Sequence, residues 1–258
     1  MAGVVTEPLP REYSGVNDSP GGLPVTQLLS DALGVLATVA VDHAARSVSL
    51  LTAFAEDLYR ANPTYSLVSA DDAVDLSTLT VRHLLDSMAG VSVVAEVLRD
   101  RGTRTLIDLG SGAGLPGIPL AVVLRDDLDR CLLVERKERR VRFLASATSR
   151  LALPCLQVLQ TDAERPGPDA AKVFRTDPPP VVVFRAYRPV TEELLGKLGR
   201  VFPAGATVIA WKGRAESTAR EAQIIRDSPS ARFHAIYPLA VPHLNRERGL
   251  LVFSVVSK

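Results

Sequence analysis

The sequence predicts an α/β protein: a mostly parallel sheet flanked by helices, closed by an antiparallel hairpin and preceded by a helical extension. Three observations predict it. From Thr105 onward, short apolar runs alternate with stretches of helical period, the pattern of strand–helix–strand crossovers. The first run, Thr105 to Leu109, opens directly into a bend holding Gly110, Gly112, Gly114 and Gly117. The last two apolar runs have no helical stretch between them, so they pair antiparallel.

Residues 1–24 are rich in proline, glycine and serine and read as a flexible tail. Residues 25–100 form the helical extension. Leu29, Leu33, Leu36 and Ala40, then Leu50, Leu51, Phe54 and Leu58, recur at three- and four-residue spacings. The polar stretch His43 to Ser47 divides this region into two helices, and Asn62-Pro63 ends the second, because the residue before proline leaves helical space. A loop with Asp71, Asp72 and Asp75 leads to a further helix through Leu79, Val81, Leu84, Leu85 and Met88.

Residues 101–258 form the sheet domain. Thr105 to Leu109 is a buried strand, and Pro116 and Pro119 suit the first turn of the helix after it. Cys131 to Glu135, Leu156 to Leu159, Val181 to Phe184 and Thr207 to Trp211 are the next strands. Helices run from Arg139 to Leu151, Thr191 to Val201 and Ala215 to Ile225. The hairpin joins Arg232–Leu239 to Leu250–Val256 through a loop from Pro242 to Arg248.

A chain of 258 residues, 47% of them apolar, can bury a large core, and a net charge of +1 confines any basic surface to a local patch. Cys131 and Cys155 lie in apolar runs and read as core thiols, and four scattered histidines have no ligand spacing, so no metal is expected. No apolar run reaches ~18 residues and no basic-then-apolar leader opens the chain. The expected compartment is the cytoplasm, with no membrane partner.

Strand, glycine bend and helix start aim backbone N–H groups at a nucleotide-like ligand. Gly112 to Gly117 satisfies G-x-G-x-x-G, which keeps an NAD-dependent oxidoreductase among the readings. Two details oppose it. The bend begins earlier, at Gly110. Asp108 also places a carboxylate in a buried strand end, a costly position unless it serves the site. There it suits the cationic amino-acid end of S-adenosylmethionine, or caps the bend itself. Glu135 stands 25 positions after Gly110, where a ribose-binding acid is needed, and could instead pair with Arg139 at the surface.

Five strands in α/β succession plus a hairpin resemble the Rossmann-like, seven-stranded sheet of S-adenosylmethionine-dependent methyltransferases. More closely, residues 50–258 resemble the GidB (RsmG) family, which methylates guanine N7 in small-subunit (16S) ribosomal RNA. The most specific part is Gly110-Ser111-Gly112-Ala113-Gly114-Leu115-Pro116-Gly117-Ile118-Pro119-Leu120. Arg82-His83-Leu84-Leu85-Asp86-Ser87, Glu135 with Arg139-Arg140-Val141-Arg142-Phe143-Leu144, Ala163-Glu164, Arg185-Ala186, Lys212-Gly213, Glu247-Arg248 and Lys258 match further family elements. The resemblance implies cofactor contacts at Gly110, Leu115, Ala163, Glu164 and Arg185, beside Asp108, Gly112, Gly114 and Glu135 from the motif. Departures fall at Ala61 to Val68, where Asn62 survives but the tryptophan, second asparagine and threonine of the family's W-N-x-x-x-N-L-T stretch do not, at Asp162 and at Phe184. Asp177-Pro178-Pro179-Pro180 resembles the D-P-P-Y motif of amino-group methyltransferases, but it precedes its strand and ends in proline, so it reads as a stiff loop.

Guanine N7 carries a free lone pair, so this chemistry needs orientation and no general base; no catalytic residue is singled out. Arg139, Arg140, Lys212, Arg248 and Lys258 are assigned to RNA phosphates, each also readable as an ordinary surface charge. His83, Asp86 and Ser87 read as a structural group fixing the helices on the sheet. The competing functions are a small-molecule methyltransferase and a ribosome-assembly factor that has lost catalysis.

Overall fold

A computed structural model of the chain describes residues 23–36 and 41–256. The predicted tail up to Gly22 and the terminal Ser257-Lys258 lie outside these residues. Helix α1 (Val25–Leu36) and helix α2 (Val41–Tyr65) open the structure. His43 to Ser47, expected as a break, belongs to α2, which begins at Val41. The polar side chains there serve outside contacts: His43 meets Asp126 at 2.8 Å, and Ser47 Oγ accepts from Arg125 at 2.8 Å. Nor does Asn62-Pro63 stop α2. The helix runs on to Tyr65, and Asn62 Oδ1 then accepts the Leu67 and Val68 amides, both at 2.9 Å, while Ser66 takes φ +51°. The side chain closes the helix end one turn later than proline sterics alone would place it.

After a 3₁₀ turn (Ala70–Asp72), α3 (Leu76–Leu79) continues through a π-helical stretch (Thr80–Leu85) into α4 (Asp86–Met88). The sequence shows one ordinary helix here. Helix α5 (Val91–Arg101) ends at Gly102, whose φ of +61° and amide bond to Leu98 make a left-handed stop.

The remaining elements are β1 (Thr105–Leu109), α6 (Gly117–Val123), β2 (Arg130–Glu135), α7 (Glu138–Leu151), β3 (Leu156–Gln160), α8 (Pro168–Phe174), β4 (Val181–Arg185), α9 (Glu192–Val201), β5 (Thr207–Lys212), α10 (Ala215–Asp227), β6 (Ala231–Val241) and β7 (Leu244–Val255). They build a seven-stranded sheet of order β3-β2-β1-β4-β5-β7-β6, in which only β7 runs opposite to the other six strands, pairing antiparallel with both β5 and β6. The expected hairpin is present, but its turn is only Pro242-His243. Asn245 to Arg248 lie inside β7, because an outer hairpin tolerates polar side chains facing water. Pro238 sits in β6, an edge strand where a missing N–H breaks no ladder.

Side chains alternate across the sheet and split the core in two. One face carries Leu106, Cys131, Leu133, Val181, Val183, Ile209 and Trp211, packed under α1–α7 through residues such as Leu28, Phe54, Leu84 and Met88. The other carries Ile107, Leu109, Leu132, Val134, Val182 and Phe184 against Phe174, Leu194, Leu198 and Ile225 of α8–α10. The extension therefore shares its core with the sheet. Cys131 and Cys155 are free, buried thiols, as expected, and burial pushes both upward in pKa. Among the described residues no helix is long and apolar enough to cross a membrane, and no group of three His, Cys, Asp or Glu could hold a metal ion.

Candidate functional site

The carboxyl ends of parallel strands are where such sheets bind ligands, and here the ends of β1–β4 surround a cleft of about 420 Å³, in the range of small-molecule sites. Gly110, Gly112 and Gly114 take φ of +66°, +57° and +83°, so the bend after β1 needs glycine at each. At Gly110 the need is doubled, because a Cβ would lie 2.4 Å from Cδ2 of Tyr187.

Glu135 closes β2 and is buried at 4% exposure, yet it lines the cleft. Its Oε2 accepts from the Gly112 amide at 3.1 Å and its Oε1 from the Lys137 amide at 2.8 Å. The Arg140 guanidinium stands 3.8 Å away; the Arg139 pairing considered from sequence is not made. A carboxylate oxygen has two acceptor positions, so each retains capacity toward the cleft. Ala163 and Glu164 form the opposite wall. Burial alone would raise the Glu164 pKa, but bonds from Lys197 (2.7 Å), Arg188 (2.7 and 2.9 Å) and the Tyr187 hydroxyl (3.0 Å) outweigh it and hold the group at about 2. Burial and Glu164 both push the Tyr187 hydroxyl upward, so it keeps its proton.

Five predicted cofactor residues stand apart from the cleft walls, among them Gly112, which reaches the cleft only through its amide on Glu135. Asp108 is fully buried beneath the bend, where Oδ2 accepts from the Gly117 amide at 3.1 Å and Oδ1 has no partner. Burial raises its pKa to about 7. It caps α6 from within, so the amide that the sequence aims at a ligand is already bonded. Gly117 makes room for it: a Cβ there would lie 2.6 Å from that same Oδ2. Gly114 and Leu115 face Ile118 and the core. Arg185 turns away from the cleft, with Nη1 on Asp86 Oδ2 at 2.9 Å and Nη2 at 3.0 Å from His83 Nδ1.

Arg185 leads into the predicted His83–Asp86 group. Arg248 Nε also donates to Asp86, at 2.9 Å to Oδ1, and Trp211 Nε1 donates to the Asp86 carbonyl at 3.0 Å. Ser87 Oγ bonds the His83 carbonyl at 2.6 Å. Arg185 and Trp211 are in register across β4 and β5, and Arg248 lies two residues from Leu250, the β7 partner of Trp211, so three neighbouring strands converge on one helical residue. Burial first, then the Arg185 charge, pushes His83 down to about 3 and keeps it neutral.

The predicted phosphate-binding cations are not one cluster. Arg140 lines the cleft, and Arg139 lies over the Tyr65 ring at 5.9 Å. Lys212 is bonded to Glu221 at 2.5 Å and only 10% exposed, and Arg248 is held by Asp86. Lys258 lies outside the described residues. The sequence reading missed Arg136 and Lys137 after β2, Thr161 and Asp162 after β3, and Ala186, Tyr187 and Arg188 after β4, all of which line the cleft. Their position directly behind predicted strand ends was the available signal.

Sheet and cleft define a class. An antiparallel seventh strand inserted beside β5 departs from the six-parallel-strand dinucleotide sheet, which removes the oxidoreductase reading, and a glycine bend facing an acid at the end of β2 is the arrangement of the seven-stranded methyltransferases. An O-methyltransferase from Bacillus cereus, solved in complex with SAH, shares the fold: TM-score 0.52 at 13% identity, covering 90% of this chain and 98% of that one. Within that class, a family model described as rRNA small subunit methyltransferase G matches residues 47–251, and the chain belongs to this family. Ribosomal RNA small subunit methyltransferase G of Bordetella pertussis is 32% identical over 92% of this chain and 96% of its own length. That of Salmonella paratyphi B is 32% identical over 88% and 95%.

Proposed function

We propose that the chain transfers the methyl group of S-adenosylmethionine to N7 of a guanine in 16S ribosomal RNA. The observation that carries this reading is the Glu135 carboxylate, buried, held from beneath by two amides and open to the cleft. The donor set fits the cofactor. Glu135 would accept the ribose hydroxyls, Val134 and Ala163 would border the adenine, and the Gly110 bend with the Tyr187 ring would flank the amino-acid end. When bound, the cofactor supplies an electrophilic methyl group on a sulfonium.

The protonation states around the cleft support an acceptor that needs no general base. Glu164 is ionised and bonded to two cations, and Tyr187 keeps its proton. Neither is set to take a proton near neutral pH, and attack by the N7 lone pair requires none. What these residues supply is position, and orientation alone is worth about 7–11 kcal/mol of barrier. The test is a map of methylated purines in 16S ribosomal RNA from cells with and without the protein. Loss of one N7-methylguanine is expected on deletion; an unchanged map overturns the reading.

A further inference from the structure

The cations predicted for RNA come from both sides of the cleft, and the structure separates the two sides. On the hairpin side, Lys212 and Arg248 are half-buried and each is already held in an ion pair, Lys212 by Glu221 and Arg248 by the Asp86 carboxylate it shares with Arg185. On the other side, β2 runs into α7 through Arg136-Lys137-Glu138-Arg139-Arg140-Val141-Arg142, five cations in seven positions. The one acid among them, Glu138, pairs with Arg142. No carboxylate of the described residues comes within ion-pair distance of Arg136, Lys137 or Arg139, and all three are exposed. Arg136 and Lys137 border the cleft itself, and Arg139 stands just beyond them, over the half-buried ring of Tyr65 at the end of α2. A ring under a guanidinium restrains it without neutralising it. Unmatched positive charge therefore runs unbroken from the mouth of the cleft to the helical extension.

Resting on the RNA reading above, we infer that the RNA strand leaves the cleft over this β2–α7 rim, with its phosphates on Arg136, Lys137 and Arg139, and not over the terminal hairpin. Phosphate contacts of this kind fix the strand's path without reading sequence. Exposed, unpaired arginines and lysine suit a polyanion, and their placement at the cleft mouth holds the strand where a base can enter.

The test is filter binding of full-length 16S ribosomal RNA across a potassium chloride series, for the wild type, Arg136→Ala/Arg139→Ala and Arg246→Ala, the last on the exposed part of the hairpin. For a single-stranded site each lost contact lowers the salt slope by about 0.7, so the double variant should lose about 1.4 and bind about tenfold more weakly or worse. Arg246→Ala should follow the wild type. Calorimetry with S-adenosylhomocysteine checks that the cleft of each variant is intact; if the double variant fails there, Arg139→Ala alone, outside the cleft, decides. A wild type without salt-dependent RNA affinity overturns the RNA reading and this path with it. A rim variant with the wild-type slope, or a slope lost only in Arg246→Ala, overturns the path and leaves the RNA reading standing.

Discussion

Glu135 faces two ways: its oxygens hold the amides of Gly112 and Lys137, and its open side borders the cleft. Glu135→Ala is expected to weaken S-adenosylhomocysteine binding about tenfold or more in calorimetry, the scale of losing charged hydrogen bonds to a ligand. An unchanged constant would mean that the ribose lies elsewhere. Asp108 makes a second residue-level prediction. Its folded pKa of about 7 stands above the ordinary carboxylate value of 3.8, so between these limits the folded state binds more protons than the unfolded one. Its contribution to stability therefore falls as pH rises from about 4 to 7 and is constant above, an effect of at most about 4 kcal/mol. Urea unfolding of wild type and Asp108→Asn across that window should show the wild type losing ground to the variant as pH rises. Parallel curves would contradict a raised pKa.

At the scale of elements, the π-helical stretch and α4 are joined to β4, β5 and β7 through Asp86. The carboxylate is buried at 3% exposure and serves two guanidiniums at once. Removing it leaves both cations in a largely dry site, and breaking a buried pair this way costs about 3–5 kcal/mol. Asp86→Ala is expected to lose that much in denaturant unfolding, whereas Arg248→Ala, which leaves the Arg185 pair intact, should lose clearly less. Equal losses would show that the two arginines do not share the carboxylate as described. This link also explains why Arg185 stands apart from the cleft walls: its place at a strand end marks it for the cleft, but its partners Asp86 and His83 lie about a hundred residues earlier in the chain, and no local pattern announces them.

For the molecule as a whole, the shared core under α1–α7 implies that extension and sheet unfold together. Trp211, the sole tryptophan, is buried with its indole N–H on Asp86, so it reports their junction. Its fluorescence and the far-ultraviolet circular dichroism should change at one denaturant concentration; separate midpoints would show two cooperative units. The parallel sheet was legible because strands buried on both faces are short apolar runs, and each predicted strand from Thr105 to Trp211 lies within a residue of its observed bounds at either end. Less legible were α8, only seven residues long, the Asn62 closure of α2, and the polar half of β7, since each depends on side-chain bonds or an exposed strand without apolar alternation. Glu135 and Gly110 could be found from motif and spacing, and Ala163 and Glu164 from the family resemblance; the aromatic wall at Tyr187 and the bare cations after β2 needed the strand ends brought together. The Asp86 junction carries a last implication, for descent. Three strands hold one helical residue, so a lineage cannot exchange its aspartate without altering partners in β4 and β7 at once. Among relatives, positions 86, 185 and 248 should drift as a set or stand still, and an alignment in which they vary independently would show that the junction is dispensable.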